Sequence, residues 1–384
     1  MWILHFINSS KNYSGKRGNN LKIGKITLDG YYNYGNVLQN YALQQVLRHY
    51  GDVDCLWHEC DNFMPRNWYK WGWKDYVKVI IDWKSYRAKL FSDLHGMEIV
   101  RQGKIKDWCD RYINIRHVEG KLPSLANAYD YFVVGSDQVW NPYFSVLEDC
   151  FLTFAPREKR IAYAASISSP SIPVTKQSIY REGFAGMAHI SMRERQGADM
   201  VRTISGREVP VVVDPTLLLT PENWRKVSRM PAWFHGEDYI LTYFLGMRPE
   251  IVADLERETG LKVVNLLSED VFEHYVTGPD EFLWAIEHAK LVYTDSFHGT
   301  VFAVLFRTPF VVCNRVGDDV SEKMGARIDT LLECFGLENR RGTKDNDYTI
   351  AAPLQAPSWS MVDEVLARER ERADIYLQQA LGIA

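Results

Sequence analysis

Cysteine is scarce and scattered: six in 384 residues, none in a CxxC pair and none beside a histidine cluster. That argues against a disulfide framework and against a zinc site. The thiols read as reduced and mostly buried, as in a cytoplasmic protein. No apolar run reaches the roughly 18–20 residues that a membrane-crossing helix needs. The opening stretch from Trp2 to Ile7 lacks the basic leader, longer apolar core and small-residue cleavage site of a secretory signal. Formal net charge is only −4, so no global basic field draws the chain to nucleic acid. HExxH, GxSxG, Walker and DxD-like metal patterns are missing, so neither a metal nor a cofactor is expected. Internal repeats and low-complexity segments are missing too.

Aromatic residues are what is plentiful. They make up 13% of the chain, with 12 Trp and 21 Tyr, and they predict large aromatic contact surfaces. At one domain per roughly 100–200 residues, the length predicts two domains, and 46% hydrophobic content is that of an ordinary globular chain.

The hydrophobic pattern predicts an α/β fold. Residues 1–20 read as a flexible lead and residues 23–28 as the first strand. A turn-rich loop follows, and then Val37, Leu38, Tyr41, Ala42, Gln45 and Val46 recur at helical spacing. Strands are predicted at 131–134, 161–165, 189–192 and 209–213, as short apolar runs suited to a parallel sheet covered on both faces. A proline pair near residue 220 suggests a domain boundary. Beyond it, strands at 239–244, 262–266, 290–294 and 309–313 alternate with helices at 249–259, 279–288, 299–306 and 327–334. Such alternation is the doubly wound pattern. The expected organisation is an N-terminal Rossmann-like domain over 21–220, a second one over 221–358, and a C-terminal amphipathic helix in 359–384. A segment over about 57–106 breaks the rhythm. Between Arg66 and Lys106 it carries ten Lys/Arg against four Asp/Glu, and it is rich in Trp and Tyr. It reads either as a helical arm that packs its tryptophans inward or as a surface resting among anionic lipid headgroups.

Ligands of doubly wound sheets bind beyond the carboxyl ends of the strands, so the loops after strands matter most. TDSFHGT at 294–300 follows a strand and opens a helix. The amides of Gly299 and Thr300 could cradle an anion there. His298 would stand at its mouth, with Asp295 close enough to tune it as a general acid or base. In ISMRE at 190–194, Arg193 lies just past a strand and can fork onto carboxylate or phosphate. In VGSDQVWN at 134–141, Ser136, Asp137 and Gln138 offer hydrogen bonds and Trp140 a flat face, a combination suited to a sugar. The loop from Gly30 to Asn36, with Asn33 and Asn36, reads either as a phosphate-binding turn or as a plain turn and N-cap.

Taken together, these runs resemble the polysaccharide pyruvyl transferase family. The likeness rests on NYGNVLQNYALQ (33–44), GSDQVW (135–140), SMRE (191–194), DPT (214–216), TDSFHG (294–299), PFV (309–311) and RIDTLL (327–332). It implies a two-domain fold like that of GT-B glycosyltransferases, two doubly wound domains facing a central cleft with the last helix returning to the first domain. It also implies transfer of pyruvyl from phosphoenolpyruvate, as co-substrate, onto two hydroxyls of a sugar to give a cyclic ketal. Family members use a His matching His298 and an Arg matching Arg193 for the donor. Well-studied members carry an Arg two residues before the His, where this chain has Ser296; Arg315, Lys323 and Arg327 are the expected sources of the missing charge. Either Asp137 or Asp295 is expected to accept a hydroxyl proton or to orient His298. Asn33, Asn36, Ser136, Asp137, Gln138 and Trp140 are expected on the acceptor side. Such transferases commonly act on lipid-linked oligosaccharides at the cytoplasmic face of the membrane, so a polyprenyl-pyrophosphate-linked acceptor and peripheral contact with an anionic membrane are implied. A nucleotide-sugar glycosyltransferase of the same fold and a carbohydrate-binding paralogue without turnover are the alternatives.

Overall fold

The computed structural model describes residues 21–28, 30–58, 93–118, 122–143, 147–315, 325–342 and 354–383. The lead at 1–20, most of the aromatic and basic segment (59–92) and Lys323 lie outside them.

The first sheet has six strands: β1 (Leu21–Ile26), β2 (Gly51–His58), β3 (Ile115–Val118), β4 (Tyr131–Val134), β5 (Arg160–Ala165) and β6 (His189–Met192). They run in the order β3-β2-β1-β4-β5-β6, all parallel. This is the dinucleotide-fold order, with its reversal between β1 and β4. The second sheet has β7 (Tyr239–Tyr243), β8 (Lys262–Leu266), β9 (Leu291–Thr294), β10 (Phe310–Cys313) and β11 (Arg341–Gly342) in the order β11-β10-β9-β7-β8, again parallel. Its reversal falls between β7 and β9. In both sheets the loops diverge at those points, after β1 and β4 in one and after β7 and β9 in the other, and crevices open there. The longer helices are α1 (Tyr34–Leu47), α2 (Asp93–Tyr112), α3 (Gln177–Gly186), α4 (Arg195–Ser205), α5 (Ile251–Thr259), α6 (Pro279–His288), α7 (Phe297–Phe306), α8 (Ala326–Phe335) and α9 (Val362–Ala380).

The doubly wound prediction holds, with corrections at the edges. Residues 209–213 do not form a full strand; a single bridge joins Met192 to Val211, through the bonds of the Met192 amide to the Pro210 carbonyl and the Val212 amide to the Met192 carbonyl, each at 2.9 Å. The pattern missed β2, β3 and β11. β2 ends at His58 and α2 spans Asp93–Tyr112, so both ends of the expected insertion belong to the regular α/β frame.

Helix α1 explains how the halves meet. Its periodicity suggested one buried face, yet from Tyr34 to Gln44 every residue is buried, because it lies on the first sheet and against the second half at once. Tyr34 donates to the Thr277 carbonyl at 2.6 Å and stacks on Phe282 with ring centroids 4.7 Å apart. Buried polar groups must be paired, and α1 pairs its own with the surrounding loops. Gln39 donates to Thr27 Oγ1 (2.9 Å) after β1 and accepts from the Ser136 amide (2.9 Å) after β4. Many of the described aromatic residues meet around this seam. One apolar cluster takes in Tyr41, Trp108, Trp224, Tyr243 and Phe302 from both halves. Helix α9 returns to the first sheet, where Ala373, Leu377 and Ala380 pack with Ile23, Val133 and Ile161.

Candidate active site

The carboxyl ends of the two sheets bring a dense charged cluster together. Arg193 follows β6 and is buried. It donates to Asp214 Oδ2 at 2.7 Å and to Asp137 Oδ1 at 3.2 Å, and its guanidinium lies over the Phe297 ring at 4.6 Å. Arg327, in the first turn of α8, lies over the same ring at 5.6 Å and within 4.0 Å of Asp137 Oδ1. His298, in the first turn of α7, places Nε2 3.5 Å from Asp214 Oδ2. Asp214 divides its work between its oxygens. Oδ1 caps a short turn, accepting from the Thr216 amide (3.0 Å) and hydroxyl (2.6 Å), which leaves Oδ2 for Arg193 and His298.

The charges are mutually dependent. Burial alone would raise the pKa of the Asp214 carboxyl; His298, Arg193 and the Thr216 hydrogen bond outweigh it and hold the group well below the carboxylate range. Burial likewise works against ionised Asp137, and Arg193, His298 and Arg327 keep its pKa low. Arg327 is itself lowered to about 10, by burial first and by neighbouring Arg193 second, so it remains a cation at neutral pH. The Nε atoms of Arg193 and Arg327 are buried without a hydrogen-bond partner. Together the groups supply a histidine poised against a carboxylate and two arginines with donors to spare. That set can move a proton beside a bound anion.

Of the residues predicted from sequence, His298, Arg193, Arg327, Asp137 and Ser136 converge here. Ser136 donates to the Ala164 carbonyl at 2.9 Å and approaches Asp214 Oδ2 at 3.3 Å. The other expectations need correction. Asp295 does not face His298. Its oxygens accept from the Leu245 and Gly246 amides, each at 2.8 Å, and Arg315 Nε lies 3.5 Å from Oδ2; this pair fastens the loop after β7. The Gly299 and Thr300 amides form no open anion cradle, because Ser296 closes the helix end. Its Oγ takes the Gly299 amide (3.2 Å) and its carbonyl the Thr300 amide (3.0 Å). Trp140 is no sugar platform. It is fully buried, donates to the Cys150 carbonyl at 3.0 Å and stacks on Phe151. Gln138 accepts from Asn141 at 3.0 Å. Asn33 is the N-cap of α1, accepting from the Asn36 amide at 3.2 Å.

Asp214 and Gly35 were missed as site residues. Asp214 was visible only as part of a boundary-like DPT, although an Asp before Pro is a capping signal and a capping carboxylate keeps one oxygen free. Gly35 lies under the imidazole: a Cβ there would sit 2.0 Å from His298 Nδ1. Its signal was a glycine in the first turn of a helix, a costly choice unless something passes close by.

The family described as polysaccharide pyruvyl transferase matches residues 33–315, and the chain belongs to that family. None of the curated proteins matches it in sequence. Solved structures resemble it over nearly their whole length at low identity. The Anabaena protein Alr3699/HepE, in complex with UDP-glucose, is 12% identical over 94% of this chain and 100% of that one, with a TM-score of 0.46. The UDP-GlcNAc 2-epimerase of Neisseria meningitidis bound to UDP-GlcNAc is 8% identical over 94% and 98%, with a TM-score of 0.38.

Proposed function

We propose that this member of the polysaccharide pyruvyl transferase family moves the pyruvyl group of phosphoenolpyruvate onto two hydroxyls of a sugar, forming a cyclic ketal and releasing phosphate. The observation that carries the reading is the buried set of His298, Asp214, Arg193 and Arg327. A donor bearing a carboxylate and a phosphate needs two cationic partners, and Arg327 beside Arg193 supplies the second one that Ser296 does not.

The chemistry suits the groups. Protonated His298 gives its proton to the methylene carbon of the enol, and positive charge develops at the central carbon. One sugar hydroxyl adds there and loses its proton. The phosphate leaves with the electrons of its C–O bond, and the second hydroxyl closes the ring, losing its own proton. Asp214 Oδ2, 3.5 Å from Nε2, stabilises the imidazolium by its charge before the transfer. Arg193 and Arg327 bind the donor's anionic groups and meet the charge that grows on the leaving phosphate. We assign Asp137, 3.2 Å from Arg193 and 4.0 Å from Arg327, as the acceptor of a hydroxyl proton.

The acceptor belongs to a polysaccharide or oligosaccharide precursor, lipid-linked and met at the inner face of the cell membrane. Among the described residues no helix is long and apolar enough to cross a membrane, so attachment would be peripheral. The test is phosphate release from phosphoenolpyruvate across a panel of galactosides, mannosides and N-acetylhexosaminides. Acceptor-dependent release supports the reading; retention of a nucleotide sugar with no release overturns it.

A further inference from the structure

A cavity of about 420 Å³ lies directly behind the charged cluster. Its inner wall is made by Arg193, Arg327, Phe297 and Asp214. Neither His298 nor Ser136 nor the start of α1 lines it. Its sides come from the segment connecting the two sheets, with Val212 and Leu217, and from α8, with Thr330 and Leu331. Its mouth is charged: Arg195 of α4 pairs with Glu333 of α8, and Arg368 and Arg372 of α9 flank Glu369. Arg195, Arg368 and Arg372 are more than half exposed. Five arginines therefore face three carboxylates along a passage from solvent to the site. At its inner end lie the guanidinium groups of Arg193, paired with Asp214 and Asp137, and of Arg327, which approaches Asp137 only to 4.0 Å.

We infer that this rear cavity is a binding site for a small oxyanion of the phosphate class, reached past the Arg195–Glu333 pair. Arginines stand at both ends of the passage, which disfavours a cation and favours an anion. A phosphate-sized anion exchanges the exposed arginines of the mouth for the loosely paired Arg327 guanidinium within, the kind of positive potential that speeds anion capture. On the function proposed above, its occupant is the phosphate released in the reaction, which leaves by the rear while the sugar occupies the cleft in front.

The test is equilibrium binding of inorganic phosphate by calorimetry at low ionic strength, with no substrate present. The wild-type chain should bind one phosphate saturably. Thr330→Trp, which fills the passage from the α8 side, should weaken that binding at least tenfold. Arg195→Glu, an exposed reversal at the mouth, should weaken it about threefold or more and should lessen the salt dependence. Wild-type affinity in Thr330→Trp, or in Arg195→Glu if the first variant does not fold, would overturn the inference, as would absence of saturable binding to the wild type. Because this readout needs no turnover, phosphate binding without ketal formation would overturn the proposed reaction and leave the rear site standing.

Discussion

At the carboxyl edge of the first sheet three non-glycine residues near the cluster hold left-handed backbone: Asp137 (φ 69°), Ala164 (φ 47°) and Ser168 (φ 48°). At the same edge of the second sheet, His298 rides the first turn of an ordinary helix closed by Ser296. The strained side is held by many bonds. Ser166 donates its amide to the Asp137 carbonyl at 3.0 Å, and buried Glu194 accepts from the Ser166 hydroxyl and the Ile167 amide, each at 3.0 Å. Each left-handed residue costs on the order of 1–3 kcal/mol and persists only where its surroundings over-determine it. The halves thus divide the labour. The first fixes Asp137, Asp214 and Arg193 in place, and the second brings the one group whose proton is expected to move.

Removing that group tests the division most directly. His298→Ala should lower phosphate release by about 10²–10⁴-fold, the usual share of a general acid or base, while urea unfolding stays close to wild type. Turnover near the wild-type rate would remove His298 from the chemistry.

Asp214 belongs to the fixed half, so its loss should show in stability as well as in rate. Asp214→Ala leaves Arg193 buried without its closest partner, and breaking a buried pair in this way costs about 3–5 kcal/mol. Denaturation in urea measures it. The pH dependence has a definite sign. The folded pKa of Asp214 is depressed, so its stabilising contribution is full above the unfolded carboxylate pKa of about 3.9. It falls away as pH drops below that value toward the depressed folded pKa. The stability gap between wild type and Asp214→Asn should therefore narrow below about pH 4. A gap that instead closes between pH 7 and 5 would mean that another group, not Asp214, is titrating.

Gly35 lies where the halves touch. In Gly35→Ala the added Cβ would overlap the Nδ1 side of the imidazole, so the ring must shift from its place beside Asp214. Turnover should fall about tenfold, as expected when a catalytic group is displaced by a fraction of an ångström. The stability change should be smaller than for Asp214→Ala, because overpacking costs about 1–3 kcal/mol and Ala gains up to ~1 kcal/mol over Gly within a helix. A full loss of folding would show instead that the contact between α1 and α7 is the weaker point.

Much of this was legible in the chain, and the misses share a cause. Short apolar runs announced β4, β6 and β9, and the strand-end rule then marked the loops with Arg193 and His298. β2 was hidden because Asp52 and Asp54 interrupt its apolar residues, and β3 because half of Ile115–Val118 is exposed. Within the site, residue type was a poor guide to the partner. Asp295 stands three residues from His298, yet its oxygens satisfy the Leu245 and Gly246 amides; Asp214, 84 positions away in sequence, is the carboxylate that meets the ring. Contacts between sheets depend on how the two halves pack, which no local pattern records.

Trp140 gives the smallest expected effect on turnover and the sharpest control. It lies in the same GSDQVW run as Ser136 and Asp137, yet the chain turns it away from them. Its ring fills a cluster with Phe151 and Phe184, and Tyr180 donates to its carbonyl at 2.6 Å. Trp140→Phe keeps an aromatic ring there but loses the bond to the Cys150 carbonyl, so stability should drop by about 1–2 kcal/mol from the lost hydrogen bond and the smaller buried surface. The Michaelis constant for the sugar should not change, since the residue touches no part of the cleft. A large rise in that constant with unchanged stability would return Trp140 to the acceptor. It would also mean that the rigid half of the site rearranges when the sugar binds, which the dense bonding around Asp137 argues against.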